Sequence, residues 1–246
     1  MRAAILSDIH ANREAFDAVM AVVRDLGVDA TVLLGDLVGY GPDPVYIVEQ
    51  AAAMAASGAV CLKGNHDEAA VIGARGFSQD ARDAIEWTRK QLSADHVAFL
   101  SGLPLSAASE DRLFVHASAF EPARWHYVDG ARSAAQCLDA SDAHSIFCGH
   151  THVPGLFYAL PGRQPACFRP VANRPAPLSQ LRRQVVVVGS VGQPRDGQPA
   201  ACFGLLDTDE RMVTMVRVPY DVAETARKIA SRGLPRWLGM RLLIGR

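Results

Sequence analysis

The sequence predicts one α/β domain spanning residues 1–246, and three observations predict it. Short apolar runs alternate with helix-period segments over the first two thirds of the chain. After Val153 the apolar runs continue without helical segments between them. No internal repeat and no long linker divides the chain, and its length suits one large unit better than two small ones.

Residues 2–7 read as a short apolar strand. Residues 13–26 place Ala15, Phe16, Val19, Val22, Val23 and Leu26 at helical spacing and stop at Gly27. Residues 30–34 form the next strand. Gly39-Tyr40-Gly41-Pro42-Asp43-Pro44 is a turn-rich loop, and Pro44 suits the first turn of a helix through residue 57. Residues 59–62 are a third strand. Residues 80–91 and 94–100 read as helices, with Ser78 and Ser93 as caps. Residues 112–115 and 145–148 are further strands. This βαβ alternation predicts a largely parallel core sheet with helices outside it. Strands follow at 155–159, 184–188, 201–206 and 212–218, whereas 160–183, rich in Pro, Arg and Gln, reads as a long irregular loop. Residues 221–246 form a helical extension of one or two amphipathic helices.

A hydrophobic fraction of 49% and a charged fraction of 21% are those of a globular protein. A net charge of −1 gives no basis for general nucleic-acid binding. Cys61, Cys137, Cys148, Cys167 and Cys202 form no CxxC pair, and their odd number completes no disulfide framework. They are expected to be reduced and mostly buried, as in a cytoplasmic protein. The N-terminus is too short in apolar length for a signal peptide, and no uninterrupted apolar stretch of about 20 residues predicts a membrane helix.

Five segments carry the chemistry: Asp8-Ile9-His10, Gly35-Asp36, Gly64-Asn65-His66-Asp67, Val115-His116 and Gly149-His150-Thr151-His152. Each ends a predicted strand, and together they hold five of the eight histidines. Asp8 and His10 are two apart and so point to one side, offering one cation an oxygen and a nitrogen. Asp36 has two oxygens and can bridge two cations. Asn65 offers a neutral amide oxygen that limits the charge around a second cation, His116 and His150 add imidazole nitrogens, and His152 returns to the first cation. Such mixed donors suit Mn, Fe, Zn, Co or Ni more than Mg or Ca. Two cations about 3.5–4 Å apart are a recurrent device for hydrolysing phosphate esters.

The set DIH, GDLVGYGPDP, GNHD, VHAS and GHTH resembles the calcineurin-like metallophosphoesterase superfamily, and within it the small prokaryotic phosphodiesterase branch. The resemblance extends over the chain, including Gly189-Ser190-Val191-Gly192-Gln193-Pro194-Arg195-Asp196. It implies a four-layer α/β/β/α sandwich with its site at the carboxyl ends of the central strands. It implies that Asp8, His10, Asp36 and His152 hold one divalent metal ion, and that Asp36, Asn65, His116 and His150 hold the other. By the same resemblance His66 contacts the substrate phosphate and protonates the leaving group, with Asp67 orienting it. The implied activity is hydrolysis of a small phosphodiester or nucleotide by metal-activated hydroxide.

Protein phosphatases of that superfamily carry an arginine after the GD motif and GNHE in place of GNHD. Here Gly39-Tyr40 and Asp67 stand instead. The missing guanidinium removes a bidentate phosphate ligand, which weakens a protein-phosphatase reading and favours diesters or nucleotides. Asn12 is either a substrate contact or a helix cap. Arg195 either neutralises substrate or pairs with a carboxylate such as Asp196. Tyr40, Trp125, His126 and Tyr127 are candidates for an aromatic wall, while His96 and His144 receive no role. The alternative readings are a phosphomonoesterase or protein phosphatase on the same site, or a non-catalytic metal-binding interaction module on the same fold, with Leu234, Trp237, Leu238 and Leu242 as an exposed homodimer or partner surface.

Overall fold

Alternation in the first strand sets the layering. In β1 (Arg2–Leu6), Ala4 and Leu6 enter one hydrophobic core while Ala3 and Ile5 enter another. The computed structural model describes residues 1–246, and the remaining elements follow in order. They are α1 (Arg13–Leu26), β2 (Ala30–Leu33), α2 (Pro44–Ala56), β3 (Val60–Cys61), α3 (Asn65–Ile72), α4 (Gln79–Gln91) and α5 (Ala94–Gly102). Next come β4 (Ser106–Ser109), β5 (Arg112–Val115), a 3-10 turn at Pro122–Arg124, α6 (Ala131–Asp139), β6 (Ser145–Cys148), β7 (Gly155–Leu160) and β8 (Arg163–Phe168). The chain ends with β9 (Pro175–Pro177), β10 (Gln184–Val187), β11 (Ala201–Asp207), β12 (Met212–Val218), α7 (Val222–Ser231) and α8 (Arg236–Ile244).

Two six-stranded sheets result, in the orders β3-β2-β1-β11-β12-β9 and β4-β5-β6-β10-β7-β8. Ile5, Val32, Phe114, Phe147, Val186 and Met215 fill the space between them. Phe16, Val19, Ile47 and Phe203 pack α1 and α2 on the outside of the first sheet. Cys137, Leu138, Ile146 and Phe157 pack α6 on the outside of the second. Each fully buried side chain of this size contributes about 1.5–3 kcal/mol. The α/β/β/α sandwich is therefore the observed architecture.

The sheets are mixed rather than largely parallel. Parallel pairing joins β1 to β2, β2 to β3, β5 to β6 and β6 to β10, and the other neighbours are antiparallel. The last third lacks crossover helices, and short connections permit only antiparallel neighbours. The parallel strands nevertheless occupy adjacent places, so their carboxyl ends form one edge.

Segment 160–183 is not an irregular loop throughout. Its β8 pairs with β7 around Gly162, which sits at φ +64, and β9 pairs with β12 at the edge of the first sheet. Pro175 and Pro177 flatten the sequence signal there but are tolerated at an edge. Also beyond the sequence expectations are α3, α6 and the exposed strand β4. The C-terminal patch is corrected too. Leu234, Leu238 and Leu242 are buried with Ile229 and Ala84, and of the four expected surface residues only Trp237, 47% exposed, faces outward. Spacing of four residues along α8 aims one stripe at α7 and α4.

All five cysteines are free; Cys167 is exposed and the others are buried. No helix is long and apolar enough to cross a membrane.

Candidate active site

The seven predicted metal donors come from the carboxyl ends of β1, β2, β3, β5 and β6, and the fold brings all seven together. Turning the chain sharply at each strand end requires unusual backbone. Asp8, His10, Asp36, His150 and His152 all have φ between 50° and 63°, a region side chains other than glycine rarely occupy. Five strained residues at one edge are sustained by the rigid sheets behind them.

The donor atoms of Asp8, His10, Asp36 and His152 lie within 4.8 Å of one another, as do those of Asp36, His116 and His150. Asn65 Oδ1, 3.2 Å from His116 Nε2, joins the second group. Asp36 belongs to both. Each carboxylate divides its work: Asp8 Oδ2 accepts from the His150 N–H at 2.9 Å and Asp36 Oδ1 from the His66 N–H at 2.8 Å. The other oxygens, Asp8 Oδ1 and Asp36 Oδ2, face the imidazoles.

The hydrogen bonds assign the tautomers. His10 Nδ1 donates to Val38 O at 3.1 Å, His152 Nδ1 to Gln193 O at 2.6 Å, and His116 Nδ1 to Leu34 O at 3.1 Å. A carbonyl can only accept, so each neutral ring keeps a bare lone pair on Nε2. These lone pairs then meet other acceptors. His10 Nε2 is 3.2 Å from His152 Nε2, and Asp8 Oδ1 is buried without any hydrogen-bond donor. Convergent buried acceptors without protons are electrostatically costly unless a cation sits among them. The residues therefore fit divalent metal ions.

Charge tells the same story. Burial pushes the Asp8 and Asp36 carboxyls up, but the neighbouring histidines, His152 and His116 foremost, hold both well below the usual carboxylate range. Burial pulls His116 down, yet Asp36 and Asp8 outweigh it and raise its pKa to about 9.

His66 lies in the first turn of α3, and its ring makes no hydrogen bond within the protein. It is packed against Tyr40 (4.4 Å between centroids), His10 (4.8 Å) and Phe77 (4.9 Å). Burial lowers its pKa to about 4. A Cβ on Gly39, at φ +85, would come within 2.3 Å of His66 Nδ1, so glycine there makes room for the ring.

Asp67 departs from expectation. Its Oδ1 accepts from the N–H groups of Leu37 and Val38 and its Oδ2 from that of Gly64. It latches the loop after Asp36 to the loop before Asn65, and its hydrogen bonds all go to these main-chain N–H groups and none to the His66 ring.

Asn12 is the α1 cap: its Oδ1 accepts from the Ala15 N–H and its amide donates to Gly192 O and Tyr220. Those bonds leave it buried and away from the cavity. Asp196 pairs with Arg217, so Arg195 does not use it. Of the proposed aromatic wall, Tyr40, Trp125 and Tyr127 line the cavity, while His126 points to Glu121 at the surface. His96 and Ser93 cap each other's turn at α5, and His144 bonds Ser179 O.

The cavity has a volume of about 370 Å³ and is floored by Asp36, Asn65, His150 and His152. Arg75 and Phe77 also line it and were missed in the sequence; their only signal is the glycine pair, Gly73 and Gly76, that brackets Arg75 and precedes Phe77. No guanidinium follows Asp36, but those of Arg195 and Arg75 are among the cavity's lining.

Residues 1–211 match the calcineurin-like phosphoesterase superfamily domain. An uncharacterized protein of Methanocaldococcus jannaschii is 32% identical over 99% of this chain and 98% of its own length. The crystal structure of a metallophosphoesterase from Sphaerobacter thermophilus is 38% identical, with a TM-score of 0.88 over the whole of both chains. A Pyrococcus horikoshii protein, 18% identical, shares the fold with a TM-score of 0.80, covering 100% of this chain and 98% of its own.

Proposed function

The chain belongs to the calcineurin-like phosphoesterase superfamily, and from that premise we propose a dinuclear metal-dependent hydrolase of small phosphodiesters or nucleotides. Asp8, His10, Asp36 and His152 would hold one divalent ion, and Asp36, Asn65, His116 and His150 the other. When bound, such a pair supplies the Lewis acidity that activates water and offsets phosphoryl charge. The remaining work belongs to the protein. Main-chain carbonyls of Val38, Leu34 and Gln193 hold the Nδ1–H of His10, His116 and His152 and aim each Nε2 inward. Tyr40, Trp125 and Tyr127 give the cavity apolar walls for the organic part of a substrate.

The observation that carries this reading is the His66 ring, which lines the cavity beside the donor groups yet is committed to no bond within the protein. A histidine retained for packing would normally be satisfied there. The ring is neutral before substrate arrives, and a bound phosphoryl anion favours its protonated form, which then donates to the leaving oxygen. The test is turnover of bis(p-nitrophenyl) phosphate by Mn²⁺-loaded protein. His66→Ala should lower kcat by about 10²–10⁴-fold with metal content unchanged. A wild-type protein inert towards diesters, monoesters and nucleotides would defeat the proposal.

A further inference from the structure

Two guanidiniums face the cavity with no carboxylate opposing them. The single carboxylate among the lining residues is Asp36, which belongs to the donor groups. Arg195 Nε and Nη2 both donate to Gln193 Oε1, at 3.2 and 2.7 Å. That acceptor is a neutral amide on a buried residue, so it orients the guanidinium without neutralising it. The Arg195 Cζ lies 5.9 Å from the Tyr40 ring centroid, which fixes the plane further. The adjacent Asp196 is engaged by Arg217. Arg75, on the facing loop, is exposed and its side chain makes no hydrogen bond.

The cavity is polarised as well. Tyr40 and Phe77 pack against His66, and Arg195 lies over the Tyr40 ring on that side. On the other side Tyr127 stacks on His150 at 4.2 Å and 19°, and Trp125 meets His116 edge-on at 5.8 Å. The proton donor and the free positive charge share one side; the flat aromatic surfaces share the other.

We infer that the leaving group of the substrate is itself anionic, departing on the His66–Arg195 side, while a nucleobase on the retained phosphoryl group lies against Tyr127 and Trp125. The class is a nucleoside 5′-diphosphate or a related phosphoanhydride. This rests on the phosphoesterase reading above. A neutral alcohol would leave an oriented, half-buried guanidinium without an anion, whereas a departing phosphate meets it with charge-assisted bonds. In the reaction a water oxygen bonds to the phosphorus bearing the nucleoside. The bridging P–O bond breaks, and its electron pair stays on the departing phosphate. That phosphate takes a proton from His66, which regains one from the consumed water. The products are nucleoside monophosphate and inorganic phosphate.

A matched pair of substrates tests this with the full Mn²⁺-loaded chain: thymidine 5′-diphosphate and thymidine 5′-(p-nitrophenyl) phosphate, which differ only in the leaving group. Wild type should favour the diphosphate in kcat/KM. Arg195→Ala should cut that preference at least about tenfold, the scale of one charge-assisted hydrogen bond, and Arg195→Lys should restore part of it. An unchanged preference in a folded Arg195→Ala protein that still cleaves the p-nitrophenyl ester overturns this inference and leaves the phosphoesterase reading standing. Hydrolysis of neither compound by wild type overturns both.

Discussion

His10 Nε2 and His152 Nε2 face one another at 3.2 Å, each with its proton placed on the opposite ring nitrogen by a main-chain carbonyl. The pair repels itself until a cation takes the lone pairs. His10→Ala should therefore lower metal content measured by inductively coupled plasma mass spectrometry from about two ions per chain to about one, with the ion at the His116 group retained. Retention of both ions would remove His10 from the donor set.

Metal removal should destabilise the fold. Saturating Mn²⁺ at about a hundred times its dissociation constant adds about 2.7 kcal/mol per site. Differential scanning calorimetry with and without chelator should show Tm falling on chelation and recovering on readdition.

The pH dependence of the metal-free protein follows from its buried histidines. Burial lowers His66 to about 4 and His150 to about 3, from 6.5. Between those values and 6.5 the unfolded chain binds the extra protons, so stability rises with pH there. His116 runs the other way: held at about 9 in the fold, it contributes stability that is complete below 6.5 and lost as pH rises towards 9. Urea midpoints of chelated protein should peak near neutral pH. Metal affinity should instead keep increasing up to about pH 9, because His116 must lose a proton to bind. A chelated protein whose midpoint does not change from pH 5 to 9 would contradict these assignments.

Asp67→Ala strands the N–H groups of Leu37, Val38 and Gly64. Each stranded, buried N–H costs about 1–3 kcal/mol, so a loss of about 3 kcal/mol or more is expected in chemical denaturation. Because Asp67 makes no hydrogen bond to the His66 ring, the pH profile of kcat should keep its shape in whatever activity remains.

Gly39→Ala should spare the donors and disturb the ring. Its methyl would arrive 2.3 Å from His66 Nδ1 at a backbone φ of +85°. Turnover should drop about 10²-fold, as for loss of a proton donor, while metal content holds. Crystallography of this variant should find His66 rotated out of its place between Tyr40 and Phe77.

Elements with a local signal were legible in the sequence. Helix α1 begins at its Asn12 cap and ends at Gly27 in the left-handed conformation, as the apolar spacing and the glycine indicate. The strands preceding Asp8, Asp36, His116 and His150 were equally plain, because a buried strand is a bare apolar run. Strands β8 and β9 were hidden, since edge strands carry polar residues and proline and are held by partners distant in sequence. Helix α3 was hidden for a different reason: it starts inside the Gly64–Asp67 motif and shows little amphipathic periodicity over its eight residues.

The seven candidate donors were legible in the sequence alone, because each sits at the end of a strand and each residue type offers an oxygen or nitrogen donor. Tertiary structure decided what surrounds them. It turned Asp67 to the backbone, seated Asn12 as a cap, folded Leu238 and Leu242 inward, and brought Arg195 across the chain to Tyr40. A ligand motif is local and survives in one dimension. Whether a carboxylate meets an imidazole or an amide, and whether a guanidinium is left without a counter-ion, depends on packing between segments that the order of residues does not record.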